Sequence, residues 1–439
     1  MRGESENTMG LIHKQLADGV RFHYLAVDKF KTGFLSVNFI APLERETAAK
    51  NALIPAILMR GSEKYPNMAE LNKKLDYLYA SGLSARNTKR GEMQIFGICA
   101  GMIDSAYTIG GEDLVSEVTE VLEDVLLHPV TKGDAFDGAY TESEKQNLID
   151  AIRAKVNNKA VWARTRCIEE MCKNERFGLS ETGTAEEVAA CTPESVYAQY
   201  RYALENYPVE IFFVGQCDAD ALAEKFTAMF AGIKRNPMPI PETEIIREAK
   251  EVRTVTEDMP VNQGNLTIGF RTGVTLSEPE YPAMMMFNEI FGGGVTSKLF
   301  MNVREKMSLC YYCSSSPDAN KGLMIVSSGI EVDNREIAEK AIFDQLDAVK
   351  RGDFTEEEQN SALLSLVNGY RELSDSARGL ETWYLGRLLH GMNSDPDDVV
   401  ESLQAVTREE ILAAANRVTT DTIYFLNGTL KGEEDADDE

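Results

Sequence analysis

Two residues capable of hydrogen-bond chemistry, Arg304 and Tyr311, lie seven positions apart in NVREKMSLCYY (302–312). A guanidinium group presents a planar fork of donors that fits a peptide carbonyl or a carboxylate. A tyrosine hydroxyl can donate a hydrogen bond to an oxyanion as it develops during the reaction. Helical spacing would place both side chains on one face, unless the chain leaves the helix before Tyr311. Taken alone, the pair is weak evidence for a site.

Three consecutive glycines, Gly292, Gly293 and Gly294, precede this pair in FGGGVTSKLF (291–300). One glycine suffices to end a helix, because glycine readily adopts the positive φ of a helix C-terminus. Three glycines favour a backbone that moves or that another molecule approaches closely. Both a helix end and a functional loop are compatible with the segment.

Residues for metal or nucleophilic catalysis lack the spacing that those mechanisms need. The four histidines are His13, His23, His128 and His390. No two of them fall within one helical turn, as a helical zinc site requires. There is no phosphate-binding glycine loop and no G-x-S-x-G elbow. The seven cysteines form an odd, scattered set, which favours reduced thiols over a disulfide framework or a zinc knuckle.

The formal net charge of −26 makes nucleic acid or an anionic membrane a poor partner, because nonspecific binding to either needs a basic face. The charge suits cationic peptides, and it also serves solubility alone. No apolar run approaches the roughly 20 residues of a membrane span. The polar start MRGESENTMG lacks the apolar core of a signal peptide. These features together predict a cytoplasmic protein.

The elements that must position these residues occur twice along the chain. LSVNFIAP (35–42) is matched by LTIGFRTG (266–273), and TESEKQNLID (141–150) by TEEEQNSALL (355–364). CTPESVYAQY (191–200) is similarly matched by VTREEILAAA (406–415). Ordered matches of this kind indicate a duplicated domain of about 200 residues.

Each copy reads as strand, helices, strand, long helices and strand. This order predicts an α+β fold of two homologous domains, each a largely antiparallel sheet packed with helices, facing each other as a clamshell. In the first copy we expect a helix from about Glu44 to Gly61, another capped by Asn67, and a long helical stretch over 141–174. The predicted organisation is an N-terminal domain (10–232), a linker (233–252), a C-terminal domain (253–430) and an acidic tail (431–439).

Taken together, these features make the sequence similar to the insulinase and pitrilysin class of zinc peptidases, the inverzincins. The resemblance is strongest to their smaller bacterial members and to the subunits of the mitochondrial processing peptidase, and it covers nearly the whole chain. That family carries H-x-x-E-H on the first helix of the first copy, shortly before a glycine and a threonine or serine. The matching stretch here is NALIPAILMRGSEKYP (51–66).

Anchored on Gly61 of that stretch, the resemblance places the two metal-binding histidines at Ala52 and Ala56 and the general-base glutamate at Pro55. With Glu144 as the family's earlier acid on the long helix, the third metal ligand falls on Ala151. Alanine cannot coordinate a metal, and proline would kink a helix interior. PAMMMF (282–287) in the second copy offers no substitute. We therefore expect no metal, no other cofactor and no catalytic residue in this chain.

The resemblance implies a non-catalytic subunit of a heterodimeric zinc metallopeptidase. An active subunit of the same family would supply H-x-x-E-H, the zinc and the water nucleophile. Arg304 would hold the backbone of an extended peptide, and Tyr311 would donate to the substrate carbonyl or the tetrahedral intermediate. Gly292–Gly294 would let the loop approach the peptide closely. Peptide binding would use strand addition at a sheet edge.

Two alternatives stay open. In a purely structural subunit, Arg304 and Tyr311 would be relics held by packing, and their mutation would change no activity. A stand-alone peptide-binding protein or homodimer would bind unfolded peptides without a zinc-bearing companion. An independent hydrolase has little support, because the sequence places no nucleophile beside a base.

Overall fold

The computed structural model describes residues 10–430, which form an α+β fold with two separate β-sheets, as the sequence predicts. The acidic tail predicted at 431–439 lies outside the described residues. The strands are β1 (Ile12–Ala17), β2 (Val20–Ala26), β3 (Thr32–Pro42), β4 (Gly82–Arg90), β5 (Met93–Ile103), β6 (Val209–Gly215), β7 (Arg253–Met259), β8 (Gly264–Arg271), β9 (Cys310–Asp318), β10 (Leu323–Ile330) and β11 (Thr419–Gly428).

The α-helices are α1 (Arg45–Leu58), α2 (Met68–Tyr77), α3 (Leu114–Leu127), α4 (Gly138–Ala154), α5 (Lys159–Met171), α6 (Ala185–Ala189), α7 (Pro193–Asn206), α8 (Ala219–Ala231), α9 (Tyr281–Asn288), α10 (Arg335–Arg351), α11 (Glu356–Leu373), α12 (Ala377–Leu389), α13 (Pro396–Gln404) and α14 (Arg408–Asn416). Two π-helical segments follow α9, at Glu289–Gly293 and Leu299–Lys306. None of the helices within 10–430 is long and apolar enough to cross a membrane.

The two sheets share one topology. The first sheet has the order β1-β2-β6-β3-β5-β4, and the second has the order β7-β11-β8-β10-β9. In both, an early strand of the copy pairs in parallel with its last strand, as β2 does with β6 and β7 with β11. The other neighbours are antiparallel, and β1 has no counterpart in the second sheet. The internal repeat of the sequence is therefore a repeat of the fold.

Helix capping explains why the matched segments start helices in both copies. Thr192 before α7 and Thr407 before α14 each form a capping box with the residue three positions later. The side-chain oxygen satisfies a backbone N–H that the first turn leaves free. Asn67 caps α2 in the same manner, accepting from the Glu70 amide at 3.0 Å, as predicted.

The helical stretch predicted over 141–174 is broken in the structure. Helix α4 ends at Ala154, a 3-10 turn spans residues 155–157, and Asn158 caps the new helix α5. An asparagine side chain competes well for free amides at a helix start, which makes this an effective break point. The helical stretch predicted over 141–174 is therefore two helices joined by a short turn, and the position of the break was not predicted.

The compact units do not follow the two copies along the chain. The first unit contains residues 10–153, 179–242 and 373–395, and the second contains 154–178, 243–372 and 396–430. Each unit thus includes a helix from the other copy, α12 in the first and α5 in the second. Residues 233–252, predicted as a linker, carry no regular secondary structure and pass from the first unit to the second.

Both faces of the first sheet are covered by helices. One face supports a large apolar core to which α1, α3, α7 and α8 contribute. Helix α12 covers the opposite face, where Leu380, Tyr384 and Leu385 pack in one cluster with Ile40 and Phe212. In the second unit, α5 packs on β8 and β11 through Ala163 and Cys167.

Each helix taken from the other copy brings a buried glutamate into an ion pair. The carboxylate of Glu381 on α12 accepts two hydrogen bonds from Arg86 of β4, at 2.5 and 2.8 Å. Glu175, just after α5, pairs with Arg271 at 2.6 Å and with Lys321 at 2.8 Å. Buried charges persist only when they are paired, so these contacts fix the position of each helix on its sheet.

Candidate functional site

The residues singled out in the second copy lie on one continuous segment, residues 289–311, which we call the arm. The arm consists of the two π-helical segments, the turn between them and the start of β9. Such π-helical turns are rare and occur frequently at functional sites. Ser365 of α11 donates to Glu289 at 2.7 Å, and Lys298 pairs with Glu358 of α11 at 2.8 Å. Helix α11 thus anchors the arm at two points.

The three glycines are explained in part by close packing within the arm. A Cβ atom on Gly292 would lie 2.6 Å from the Ser315 hydroxyl oxygen, and one on Gly293 would lie 2.3 Å from a Glu289 carboxylate oxygen. A Cβ on Gly294 would meet the same carboxylate at 2.5 Å. Gly292 therefore excludes a larger residue, because the Ser315 backbone also lies 2.8 Å from the added Cβ. At Gly293 and Gly294 a larger residue would require only that the flexible Glu289 side chain shift. This packing is compatible with a functional loop and does not require one.

Arg304 is held by three kinds of contact. Its Nε donates to the backbone carbonyl oxygen of Tyr311 at 3.0 Å. Its guanidinium carbon lies 4.5 Å from the centre of the Phe300 ring. Its Nη1 pairs with Glu305 at 3.1 Å. Stacking on a ring and a hydrogen bond at Nε orient the planar fork while leaving the half-exposed group within reach of a ligand.

Tyr311 projects from the edge of the second sheet with 53% of its surface exposed. Its hydroxyl donates to the carboxylate of Glu331. This hydrogen bond raises the pKa of Tyr311 above its ordinary value, because it favours the protonated phenol. The phenol therefore keeps the proton that a hydrogen-bond donor needs.

Arg304 and Tyr311 are brought close by a turn between a π-helical segment and a strand, not by a shared helix. The π-helical segment ends at Lys306, and Ser308 adopts a positive φ of 51° before β9 begins at Cys310. A positive φ is uncommon for a residue other than glycine, so the turn is locally strained. The chain therefore leaves the helix before Tyr311, the case in which helical spacing does not apply. Both residues nevertheless line one surface pocket of about 400 Å³, together with Glu305, Ser308, Leu309, Cys310 and Glu331.

The positions matched to the zinc motif lie on α1 and α4. Ala52 is 7% exposed, Pro55 is buried and Ala56 is partly buried on α1, whereas Ala151 is exposed on α4. Helix α1 continues past Pro55 to Leu58. These side chains supply no donor atom for a metal. Within residues 10–430 no group of three or more histidine, cysteine, aspartate or glutamate side chains is placed to hold an ion.

Glu144, the acid used to locate the third metal ligand, already pairs with an arginine side chain. The Nε of Arg60, just after α1, pairs with the carboxylate of Glu144 on α4. The Nη2 of the same arginine donates to Ser143 at 2.8 Å. A guanidinium that already neutralises this carboxylate disfavours a second cation beside it. The geometry of these residues therefore does not fit a zinc ion.

Two features of the site region and one of the first sheet escaped the sequence analysis. Glu331, the partner of Tyr311, lies just after β10 and becomes its neighbour only through strand pairing. Cys310 and Cys313 were treated only as members of the scattered cysteine set. In the first sheet, His13 and His23 pair directly across β1 and β2, with their Nδ1 atoms 2.7 Å apart.

The histidine pair had only an indirect sequence signal. Asp18-Gly19 is a typical two-residue hairpin turn, whose regular register would place His13 opposite Tyr24. A bulge between Gln15 and Ala17 shifts the register by one, so that His13 is opposite His23. In the structure, His23 is buried, and its Nε2 lies 2.6 Å from Glu210, which also accepts from Arg21. Burial lowers the pKa of His23 below its ordinary value despite the nearby carboxylate.

Comparisons with known proteins place the chain in a family. Residues 190–366 match the family model described as the Peptidase M16 inactive domain. The probable inactive metalloprotease YmfF of Bacillus subtilis strain 168 is 34% identical over 411 residues, which cover 94% of this chain and 96% of that protein. A second protein of that strain, the uncharacterized zinc protease YmxG, is 20% identical and covers 86% of this chain and 93% of its own length.

Solved structures agree with these matches. A conserved protein from Enterococcus faecalis V583 superposes with a TM-score of 0.89 at 28% identity, covering 96% of this chain and all of that chain. A peptidase M16 inactive domain from Pseudomonas fluorescens gives a TM-score of 0.76 at 16% identity, covering 97% of this chain and 100% of its own. The latter identity supports a shared fold alone.

Proposed function

This chain belongs to the insulinase and pitrilysin family of M16 peptidases, and from that premise we propose that it is the non-catalytic subunit of a two-chain zinc peptidase. The first copy has alanine and proline where the family carries its metal ligands and general base. The second copy keeps an arginine and a tyrosine at the rim of one pocket. The observation that carries the proposal is the contact of Arg304 with the Tyr311 carbonyl at 3.0 Å, which fixes the two residues relative to each other.

In this role the arm contributes positioning and charge stabilisation. The guanidinium of Arg304 holds a peptide carbonyl or carboxylate through its free donors. The Tyr311 hydroxyl exchanges Glu331 for the carbonyl oxygen of the scissile bond and strengthens its hydrogen bond as negative charge develops there. The partner subunit supplies the zinc and the attacking water.

The edge strand β9 is the route that we propose for the peptide. Among the described residues it pairs with β10 on one side and with no strand on the other, although Arg304 already occupies the Tyr311 carbonyl. An extended peptide that adds to this edge runs beside Tyr311, which lies at the start of the strand. Strand addition binds through main-chain hydrogen bonds and therefore reads conformation more than sequence.

The test is an activity assay with a quenched peptide and an H-x-x-E-H-containing M16 protein from the same organism. This chain alone, the zinc-bearing protein alone and an equimolar mixture are compared. We expect hydrolysis to appear, or to rise sharply, only in the mixture. Equal rates for the zinc-bearing protein with and without this chain would refute the proposal and favour a structural or stand-alone binding role.

A further inference from the structure

A β-bulge brings two cysteines of the arm region together. Across the β9–β10 pair, Cys313 is opposite Ser328, Tyr312 is opposite Gly329, and Cys310 is opposite Ile330. Tyr311 is therefore an extra residue with no partner of its own in the ladder. In a regular strand, residues three apart point to opposite faces. The bulge reverses this alternation, so that Cys310 and Cys313 point to the same face.

The two thiols lie on the same face of the bulged strand but differ in their exposure. Cys313 is only 3% exposed, whereas Cys310 is half-buried and lines the pocket that contains Arg304 and Tyr311. One sulfur can therefore be reached from solvent, and the other is a buried neighbour on the same strand. An attacking and a resolving cysteine need this combination of an accessible thiol and a nearby second thiol.

The electrostatic surroundings select Cys310 among the seven cysteines of the chain. The neighbouring thiol of Cys313 and the charge of Arg304 lower the pKa of Cys310, and together they outweigh the opposite effect of burial. For the other exposed candidate, Cys217, burial raises the pKa to about 12. Burial also raises the pKa of Cys99 to about 11 and that of Cys172 to about 12. Because the thiolate is the reactive form, oxidation should begin at Cys310.

We propose that Cys310 and Cys313 form a reversible intrachain disulfide, which makes the base of the arm a site of oxidative modification. The oxidant is a hydroperoxide. The Cys310 thiolate attacks the outer peroxide oxygen, and the O–O bond breaks to give a sulfenic acid and, after protonation, water or an alcohol. The Cys313 sulfur then attacks the Cys310 sulfur, losing its proton and releasing water as the S–S bond forms. Two thiols are oxidised and one peroxide is reduced.

The disulfide would close a ring that contains Tyr311 and Tyr312. The backbone carbonyl of Tyr311 is the group that accepts from Arg304, so a change in the bulge alters the position of both side chains. The consequence for peptide turnover rests on the proposed function. The disulfide itself does not, because it depends only on contacts within this chain.

The test uses the full chain treated with hydrogen peroxide and then alkylated. Trypsin cleavage after Lys306 and Lys321 releases residues 307–321, a peptide that holds both cysteines and no others. We expect this peptide to lose two hydrogens and both alkylation sites, and its halves to stay joined after chymotrypsin cleavage at Tyr311 or Tyr312. Cys310 should react at least about tenfold faster than Cys217, because its thiolate fraction is much larger.

Two variants make the assignment specific. Cys313→Ser should stop the reaction at a sulfenic acid on Cys310 that dimedone traps, whereas the control Cys217→Ser should form the disulfide at the wild-type rate. Thiols at 310 and 313 that both stay alkylatable, or Cys310 joined to a different cysteine, would overturn the proposal.

A second readout separates this inference from the proposed function. The oxidised and reduced chains are compared in the mixed peptide assay, with dithiothreitol to restore the thiols. A reversible loss of at least about tenfold in rate is expected, as for a misplaced hydrogen-bond donor. An unchanged rate with the disulfide formed would overturn its regulatory effect alone. A mixture without activity would refute the proposed function and leave the disulfide result standing.

Discussion

Helix α1 of the first copy and the arm of the second copy are the two regions to which the family resemblance assigns chemistry, and they differ in structure. Helix α1 is a continuous helix whose Ala52 and Pro55 are buried in the core of the first unit. The arm follows α9, the helix that corresponds to α1, and has π-helical turns, a strained Ser308 and an exposed Tyr311. Small apolar residues occupy the first region, whereas polar residues and unusual backbone occur in the second. We therefore propose that any function of these two regions lies in the second copy.

The largest effect expected from this comparison is on the turnover of the assembled peptidase. Tyr311→Phe removes the hydroxyl that would stabilise the oxyanion, and turnover should fall about a hundredfold. Tyr107→Phe is the matched control, since Tyr107 is 55% exposed and belongs to the first unit. Steady-state kinetics of the mixture gives both values. Equal turnover for the Tyr311 variant and the wild type would assign Tyr311 to packing.

The second prediction concerns the space around the buried position Ala52 of α1. Ala52→His inserts a larger side chain into a position that is 7% exposed, and overpacking of this kind lowers the free energy of unfolding by about 1–3 kcal/mol. Ala151→Glu places the family's other ligand on an exposed surface and should change it by less than about 0.5 kcal/mol. Urea denaturation measures both. Stability retained by Ala52→His would mean that α1 still has room for a ligand.

The two units also differ in titratable chemistry, because β1 brings His13 to His23 only in the first sheet. Burial lowers the pKa of His23, so the unfolded chain binds a proton at this site more readily than the folded chain. Neutral His23 makes its full contribution to the free energy of unfolding above about pH 6.5, the ordinary pKa of histidine. This contribution is lost as the pH falls through the lowered pKa of the folded state. Glu210, Arg21 and His13 face this group.

Replacing His23 should therefore flatten the acid side of the stability profile. Between about pH 7 and pH 5, we expect the slope for His23→Gln to be smaller than that of the wild type by up to about 1.4 kcal/mol per pH unit. Urea denaturation at several pH values provides the slopes. The exposed His128, replaced by Gln, is the control and should follow the wild type. Equal slopes for all three proteins would show that His23 does not cause the decrease in the free energy of unfolding at acidic pH.

The smallest expected effect is that of metal removal on this chain alone. If Ala52, Ala56 and Ala151 occupy the family's ligand positions, as the resemblance implies, a chelator should leave the unfolding midpoint unchanged, and elemental analysis should find no stoichiometric zinc. One tightly held zinc per chain, resistant to the chelator, would contradict the assignment of Ala52, Ala56 and Ala151.

Much of the fold could be predicted from the sequence because the relevant signals are local. The predicted cap Asn67 identified α2, and the helix predicted from about Glu44 to Gly61 corresponds to α1. The repeat itself predicted two sheets of the same kind. The passage of α5 and α12 into opposite units was not predicted, because it depends on which sheet face needs cover and on the buried pairs of Glu175 and Glu381. No sequence period encodes that choice.

The candidate site was predicted in part. Arg304 and Tyr311 were identified, and the structure places them at one pocket. Their geometry was missed, because the segment changes from helical spacing to a bulged strand between them. Glu331 and the Cys310–Cys313 pair were missed for the same reason: each depends on the register of β9 against β10. A single inserted residue in a ladder leaves no periodic signal in the sequence.

The most direct test of the central claim is to locate a bound peptide in the assembled pair. The zinc-bearing subunit would carry its general-base glutamate replaced by glutamine, so that a peptide with a benzophenone side chain near its cleavage site stays intact. After illumination, mass spectrometry maps the cross-links. We predict cross-links to residues 289–311 of this chain, reduced strongly by Arg304→Ala. Cross-links confined to the zinc-bearing subunit would contradict the claim that this chain contributes to the site.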